Sequence, residues 1–162
     1  MKAVSNSSVL IALSSIGQLE LIKQRFPDGV MIPQAVWKEV VETGKGRSGA
    51  EEVAKASWLT ISTVSNTSSI SLLRLELDEG ESEAISLFLE QPAQAILLDE
   101  KNARRVAKRM KLPVLGTVGI LIWAKQNRLI PNLKEQLDAL QLVGKFRLST
   151  LIYQESLKKV GE

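Results

Sequence analysis

The chain has 162 residues, 44% of them hydrophobic and 24% charged, with 21 lysines and arginines against 18 aspartates and glutamates for a formal net charge of +3; this is the balance of one soluble domain of ordinary size. Neither cysteine nor histidine occurs, which excludes disulfides, thiolate or imidazole metal sites, cysteine nucleophiles and the histidine acid–base chemistry of Ser-His-Asp hydrolases. The ionisable groups that remain are carboxylates, lysines, arginines and a single tyrosine, and carboxylates alone favour a hard divalent cation such as Mg²⁺ or Mn²⁺.

Met1-Lys2-Ala3-Val4 enters Ser5-Asn6-Ser7-Ser8 without a signal-peptide hydrophobic stretch, and no apolar run is long enough to span a bilayer, so a cytoplasmic location is expected. Lys2 to Ser5 predicts a short strand, and Ser7 to Ile16 and Gln18 to Phe26 predict two helices divided by Gly17. Val30 to Ile32 predicts a strand, and Pro33 suits the first turn of a helix running to about Thr43. Three glycines beside Lys45 and Arg47 mark Thr43 to Gly49 as a loop. Ala50 to Ala56 is a short helix, Leu59 to Thr63 a strand, and the Ser- and Thr-rich run Ser62 to Ser71 a link to the next helix. That helix begins near Gly80 and covers Glu81 to Glu90, and Pro92 ends it ahead of a buried strand, Ala95 to Leu98. Glu100 to Met110 is a helix, Val114-Leu115 a brief strand, and Thr117 to Asn127, Leu133 to Leu142 and Thr150 to Val160 complete the chain as helices. Strands alternating with helices predict a single domain over residues 1–162, a three-layer α/β/α fold around a mostly parallel sheet.

In such a sheet, ligands bind outside the carboxyl ends of the strands. Three predicted strand ends offer Asn6, Asp99 and Thr117 to that edge, each at a helix start where it also suits an ordinary N-cap. Glu39 lies at the margin of the stripe Val36, Trp37, Val40 and Val41, a position that also suits a solvated glutamate. Glu81 shares a helix face with Ala84, Ile85 and Phe88, and a carboxylate heading an apolar stripe calls for a cation or a donor. The helix dipole is the plainer reason for an acid there. Glu83 lies outside that stripe. After Asp99, Lys101, Arg104, Arg105, Lys108 and Arg109 recur at helical spacing opposite Ala103, Val106, Ala107 and Met110. Such a stripe reads either as a solvated face or as a surface that brings a nucleic-acid backbone to the carboxylates. A pI near 9.2 leans the same way.

At these residues the chain resembles the PIN domain superfamily, in particular a branch of uncharacterised prokaryotic PIN-like proteins. Five ordered runs carry the resemblance: Val4 to Leu13, Ile32 to Val40, Leu77 to Ile85, Leu98 to Arg105, and Gly116 to Gly119. It implies a parallel α/β/α domain that gathers acidic side chains into one Mg²⁺ or Mn²⁺ pocket. It also implies metal-assisted hydrolysis of phosphodiester bonds in RNA, single-stranded or looped. VapC-like toxin ribonucleases, which pair with a small antitoxin, belong to the superfamily, and PIN proteins often form homodimers. Carried over by position, Asn6 stands in the first acidic place, Glu39 in the second, Glu81 (or Glu83) in the third and Asp99 (or Glu100) in the fourth, with Thr117 auxiliary. Glu39, Glu81 and Asp99 would then be catalytic.

The first place departs from the family, where most nucleases have aspartate, and a neutral carbonyl oxygen weakens a cation site. The alternative reading is therefore a catalytically weakened PIN-like module that binds RNA or a protein without cutting. Leu151, Ile152 and Leu157 of the last predicted helix suit either a partner or the core.

Overall fold

The computed structural model describes residues 1–162. Five strands, β1 (Ala3–Ser5), β2 (Val30–Pro33), β3 (Leu59–Ser62), β4 (Ala95–Leu97) and β5 (Val114–Leu115), pair in parallel throughout in the order β3-β2-β1-β4-β5. Helices α1 (Ser7–Ser15), α2 (Glu20–Arg25), α3 (Gln34–Trp37), α4 (Ala50–Lys55), α5 (Thr67–Leu73), α6 (Glu79–Glu90), α7 (Lys101–Arg109), α8 (Thr117–Gln126), α9 (Leu133–Leu142) and α10 (Thr150–Lys159) connect or follow the strands. No helix is long and apolar enough to cross a membrane.

β1 and β4 are buried on both faces, whereas the edge strand β3 exposes Thr60 and Ile61; the central strands therefore read as short continuous apolar runs, and their side chains alternate between two cores. Ala3, Val30, Ala95 and Leu97 join α1, α2, α8 and α9 on one face, where Leu10, Leu13, Ile22, Phe26, Ile120 and Leu137 are fully buried. Val4, Ile96 and Leu98 point the other way, onto Ile85 and Leu87 of α6 and Ala103, Val106 and Ala107 of α7. Each fully buried Leu, Ile or Phe contributes about 1.5–3 kcal/mol relative to exposure. These two layers confirm the expected three-layer α/β/α architecture.

Two segments differ from expectation. Ser62 to Ser71 is not all link: Asn66 accepts from the Ser69 N–H at 3.0 Å and starts α5. Glu90 of α6 binds the Ser65 and Asn66 N–H groups at 2.6–3.0 Å. A tertiary anchor thus starts a helix where composition suggests a loop. Pro33 ends β2 and occupies the N-cap position instead of the first helical turn. The helix after it widens into a π-helical segment, Lys38–Thr43. That segment closes at Gly44, where a Cβ would run into the Val40 carbonyl. Of the three apolar residues in the last helix, Leu157 packs against the larger core while Leu151 and Ile152 are exposed.

Strand order reverses between β1 and β4, since β2 and β3 extend one way and β4 and β5 the other. The crevice at such a switch point is where an open parallel sheet receives a ligand. The pairing Ser5↔Leu97 ends that ladder, and the Asn6 N–H continues it to the Leu97 carbonyl at 3.0 Å. Asn6 and the residues after Leu97 are thereby fixed side by side at the carboxyl edge.

Candidate metal centre

Asn6 holds the N-cap position of α1, yet its side chain makes no bond to the free N–H groups of that helix. It is 3% exposed. Its Oδ1 accepts only a long bond from the Ser7 hydroxyl at 3.5 Å. Capping therefore does not explain this buried amide. Oδ1 faces Gly80: a Cβ on residue 80 would stand 3.4 Å from it and 3.3 Å from Oε2 of Glu39. Glu39 arrives from the π-helical segment with an otherwise exposed side chain. Gly80 sits in the first turn of α6. The missing methyl group leaves room for two oxygens from two other elements. The sequence shows Gly80 only as a helix start, and a glycine inside that start is the signal for the space it leaves.

Glu81, one residue on, completes a capping box. Its N–H donates to Asp78 Oδ1 at 2.8 Å, and its Oε1 accepts from the Asp78 N–H at 3.1 Å. A capping box that the sequence reading did not assign to Glu81 therefore accounts for one of its oxygens. At 6% exposure the carboxylate is nearly buried. Burial pushes its pKa upward, opposed by the Asp78 N–H, and repulsion from the Asp78 and Glu100 carboxylates adds to the rise. Glu83, half-buried, accepts from the Ala35 N–H at 3.4 Å and so ties α6 to α3. Burial raises its pKa as well. Glu100 is exposed in the N-cap position of α7 and caps nothing with its side chain.

Asp99 does not cap the helix that follows it. Its carboxylate reaches across to the start of α8, where Oδ1 accepts from the Thr117 N–H at 2.8 Å and Oδ2 from the Thr117 hydroxyl at 2.6 Å. Thr117 itself is fully buried. Burial drives the Asp99 pKa above the ordinary carboxylate value, opposed by the two Thr117 bonds and by the positive charge of Arg104. Of the basic stripe on α7, Lys101, Arg105, Lys108 and Arg109 are exposed. The Arg104 guanidinium turns inward, and its Nη1 donates to the Leu98 carbonyl at 2.8 Å. Lys101 starts the helix at the carboxyl edge, and Arg109 ends it about 12 Å further along the axis.

Three buried or half-buried carboxylates, Glu81, Glu83 and Asp99, thus stand at one edge with raised pKa values. None of them, nor Glu39, pairs with a lysine or arginine, because the four ion pairs of the molecule lie elsewhere. A charge desolvated without a partner is unfavourable, and perturbed carboxylates of this kind mark functional sites. The donor set is all oxygen, which suits Mg²⁺ or Mn²⁺. The expected meeting of Glu39, Glu81 and Asp99 around one ion is not present, since no three acidic side chains gather into one cluster. The arrangement instead fits an ion that keeps several waters and takes one or two carboxylates, the usual habit of Mg²⁺.

A family model described as a PIN domain matches residues 2–162. No curated protein and no solved structure gives a significant match. The chain therefore belongs to the PIN domain family, whose members are generally metal-dependent nucleases.

Proposed function

We propose that this PIN domain is a Mg²⁺- or Mn²⁺-dependent ribonuclease that works at the carboxyl edge between β1 and β4. The observation that supports it most is the convergence of Asn6 Oδ1 and Glu39 Oε2 over Gly80, beside carboxylates that form no ion pair with a lysine or arginine. Asn6 and Glu39 would bind the ion directly. Asp99, held still by Thr117, and Glu81, with Oε2 outside the capping box, would reach it directly or through water. When bound, the cation supplies positive charge that stabilises the phosphate in the transition state and makes water more acidic. No histidine is required for that chemistry. Glu39, exposed and without a hydrogen bond of its own, would have its second oxygen free to accept a proton from water, while the buried carboxylates keep fixed positions. The exposed Lys101, Arg105, Lys108 and Arg109 would neutralise backbone phosphates on the way to the edge. Single-stranded or looped RNA suits this geometry, because a flexible strand bends into a crevice more readily than a duplex.

A second reading, a module that binds RNA without cutting, draws on Asn6. It places a neutral oxygen where most PIN nucleases carry aspartate, and it leaves the carboxylates ungathered. Calorimetric titration of the protein with Mg²⁺ and Mn²⁺, beside Asp99→Ala, separates the two. Metal uptake that is lost in the variant, together with cleavage of single-stranded RNA, supports the nuclease. RNA binding with no metal uptake at millimolar concentration sinks it in favour of the module.

A further inference from the structure

Arg104 and Arg105 are neighbours in α7 with different surroundings. Arg105 is exposed. Arg104 is half-buried, and its Nη1 donates to the carbonyl of Leu98, the residue directly before Asp99. That bond ties the first turns of α7 back to the end of β4.

Gly116 adds a second observation. Its backbone is extended, with φ −109° and ψ 179°, so the conformation is open to any residue. Space is what requires glycine. A Cβ there would stand 2.6 Å from Arg104 Nη1, 2.9 Å from Asp99 Oδ1 and 3.4 Å from the Leu98 carbonyl oxygen. The guanidinium and the carboxylate share the volume that any other side chain at 116 would take. Arg104 approaches Asp99 but stops short of a direct ion pair, and both carboxylate oxygens go to Thr117.

We propose that Arg104 is a positioning residue of the cation site: it anchors the end of β4 and, with Gly116, sets where the Asp99 carboxylate stands. This rests on the metal-centre reading above. It removes Arg104 from the phosphate-contacting stripe and assigns it to the architecture behind the ligands, where loss of such a partner lowers metal affinity by about 10–100-fold.

The test is a Mg²⁺ titration by calorimetry of the wild type, R104A, R104K and G116A, with the salt dependence of single-stranded RNA binding in chelator as a second readout. R104A should lose at least about tenfold in metal affinity. R104K should recover part of it, because an ammonium group can still donate to the Leu98 carbonyl. G116A should also lose affinity, since the new methyl group meets both the guanidinium and Asp99 Oδ1; it reports on the shared space and not on Arg104 alone. The salt slope should not change in R104A, whereas R105A should lower it by about 1. Wild-type metal affinity in R104A (or in R104M where R104A does not fold) overturns the proposal, and so does a salt slope in R104A reduced as in R105A. Should R104A fail to fold by circular dichroism, R104M decides, because it keeps the packed stem and removes every donor to the Leu98 carbonyl. A wild type that takes up no Mg²⁺ overturns the metal reading itself, and the role of Arg104 falls with it.

Discussion

Thr117 gives both of its donors to Asp99, its N–H to Oδ1 at 2.8 Å and its hydroxyl to Oδ2 at 2.6 Å, across the gap between β4 and α8. Valine at 117 keeps the shape and removes one donor from a carboxylate that is already desolvated. A hydrogen bond to a charged group contributes about 1.5–3 kcal/mol. Thr117→Val should therefore lose about that much stability at pH 7 in chelator, measured by urea unfolding. The loss should shrink toward pH 4, where the carboxyl takes up a proton.

The raised pKa values of Glu81, Glu83 and Asp99 fix the sign of the pH dependence. Each group binds its proton more tightly folded than unfolded, so stability falls as pH rises from the ordinary carboxylate range through the raised folded values. Asp28, Asp138 and Glu162, whose values are lowered, give the opposite slope, so the effect is read as a difference: without divalent cation, Glu81→Gln should gain in melting temperature relative to wild type as pH rises across that window. Added Mg²⁺ should restore stability at pH 7 and do little at pH 4. At a hundred times its dissociation constant, a ligand stabilises by about 2.7 kcal/mol. A difference between Glu81→Gln and wild type that does not change from pH 4 to pH 7 would contradict the raised value of Glu81.

Asn6→Asp returns a negative charge to the first position of the site. The side chain is 3% exposed, so the charge has little access to water. The variant should be less stable than wild type in chelator and should bind Mg²⁺ more tightly, with faster RNA cleavage. Calorimetry and a cleavage assay check the two arms. Equal metal affinity in variant and wild type would remove Asn6 from the site.

On α7, Arg105→Ala and Lys108→Ala should weaken binding of every single-stranded RNA alike. Each should reduce the slope of log affinity against log salt by about 1. Binding measured across salt in chelator isolates this effect from metal. An unchanged slope returns the stripe to a solvated helix face.

Lys111 follows α7 with φ 60°, a left-handed conformation unfavourable for a residue with a Cβ by about 1–2 kcal/mol. Lys111→Gly should therefore raise stability by about 1 kcal/mol, within the range of that penalty. Thermal unfolding checks it.

The strand ends were legible in the sequence because topology fixes them. Once β1, β4 and β5 are read from short apolar runs, Asn6, Asp99 and Thr117 must share the carboxyl edge, and the structure places them there. The bounds of β5 and α9 agree with expectation to the residue. What escaped depends on contacts remote in the chain. Glu90 anchors the start of α5 from more than twenty residues away. The wide turn at Lys38–Thr43 has no signature in its composition. A helical wheel sets Arg104 among cations facing solvent, because it cannot show a guanidinium folding back to the strand before its own helix. Gly80 and Gly116 were visible as letters, but the space they leave has meaning only once Glu39, Asn6 and Asp99 surround it.

β1 lies at the centre of the sheet, and its second neighbour is β4, with Ala3 aligned to Ala95 across most of the intervening chain. A polypeptide emerging from the ribosome can pair β1 with β2 early, but the other side of β1 stays open until β4 has been made. The crevice between Asn6 and Asp99 therefore comes into existence late in synthesis. A nascent chain stopped at Gln94 should therefore lack the edge between Asn6 and Asp99 and, on the nuclease reading proposed above, show no metal-dependent cleavage.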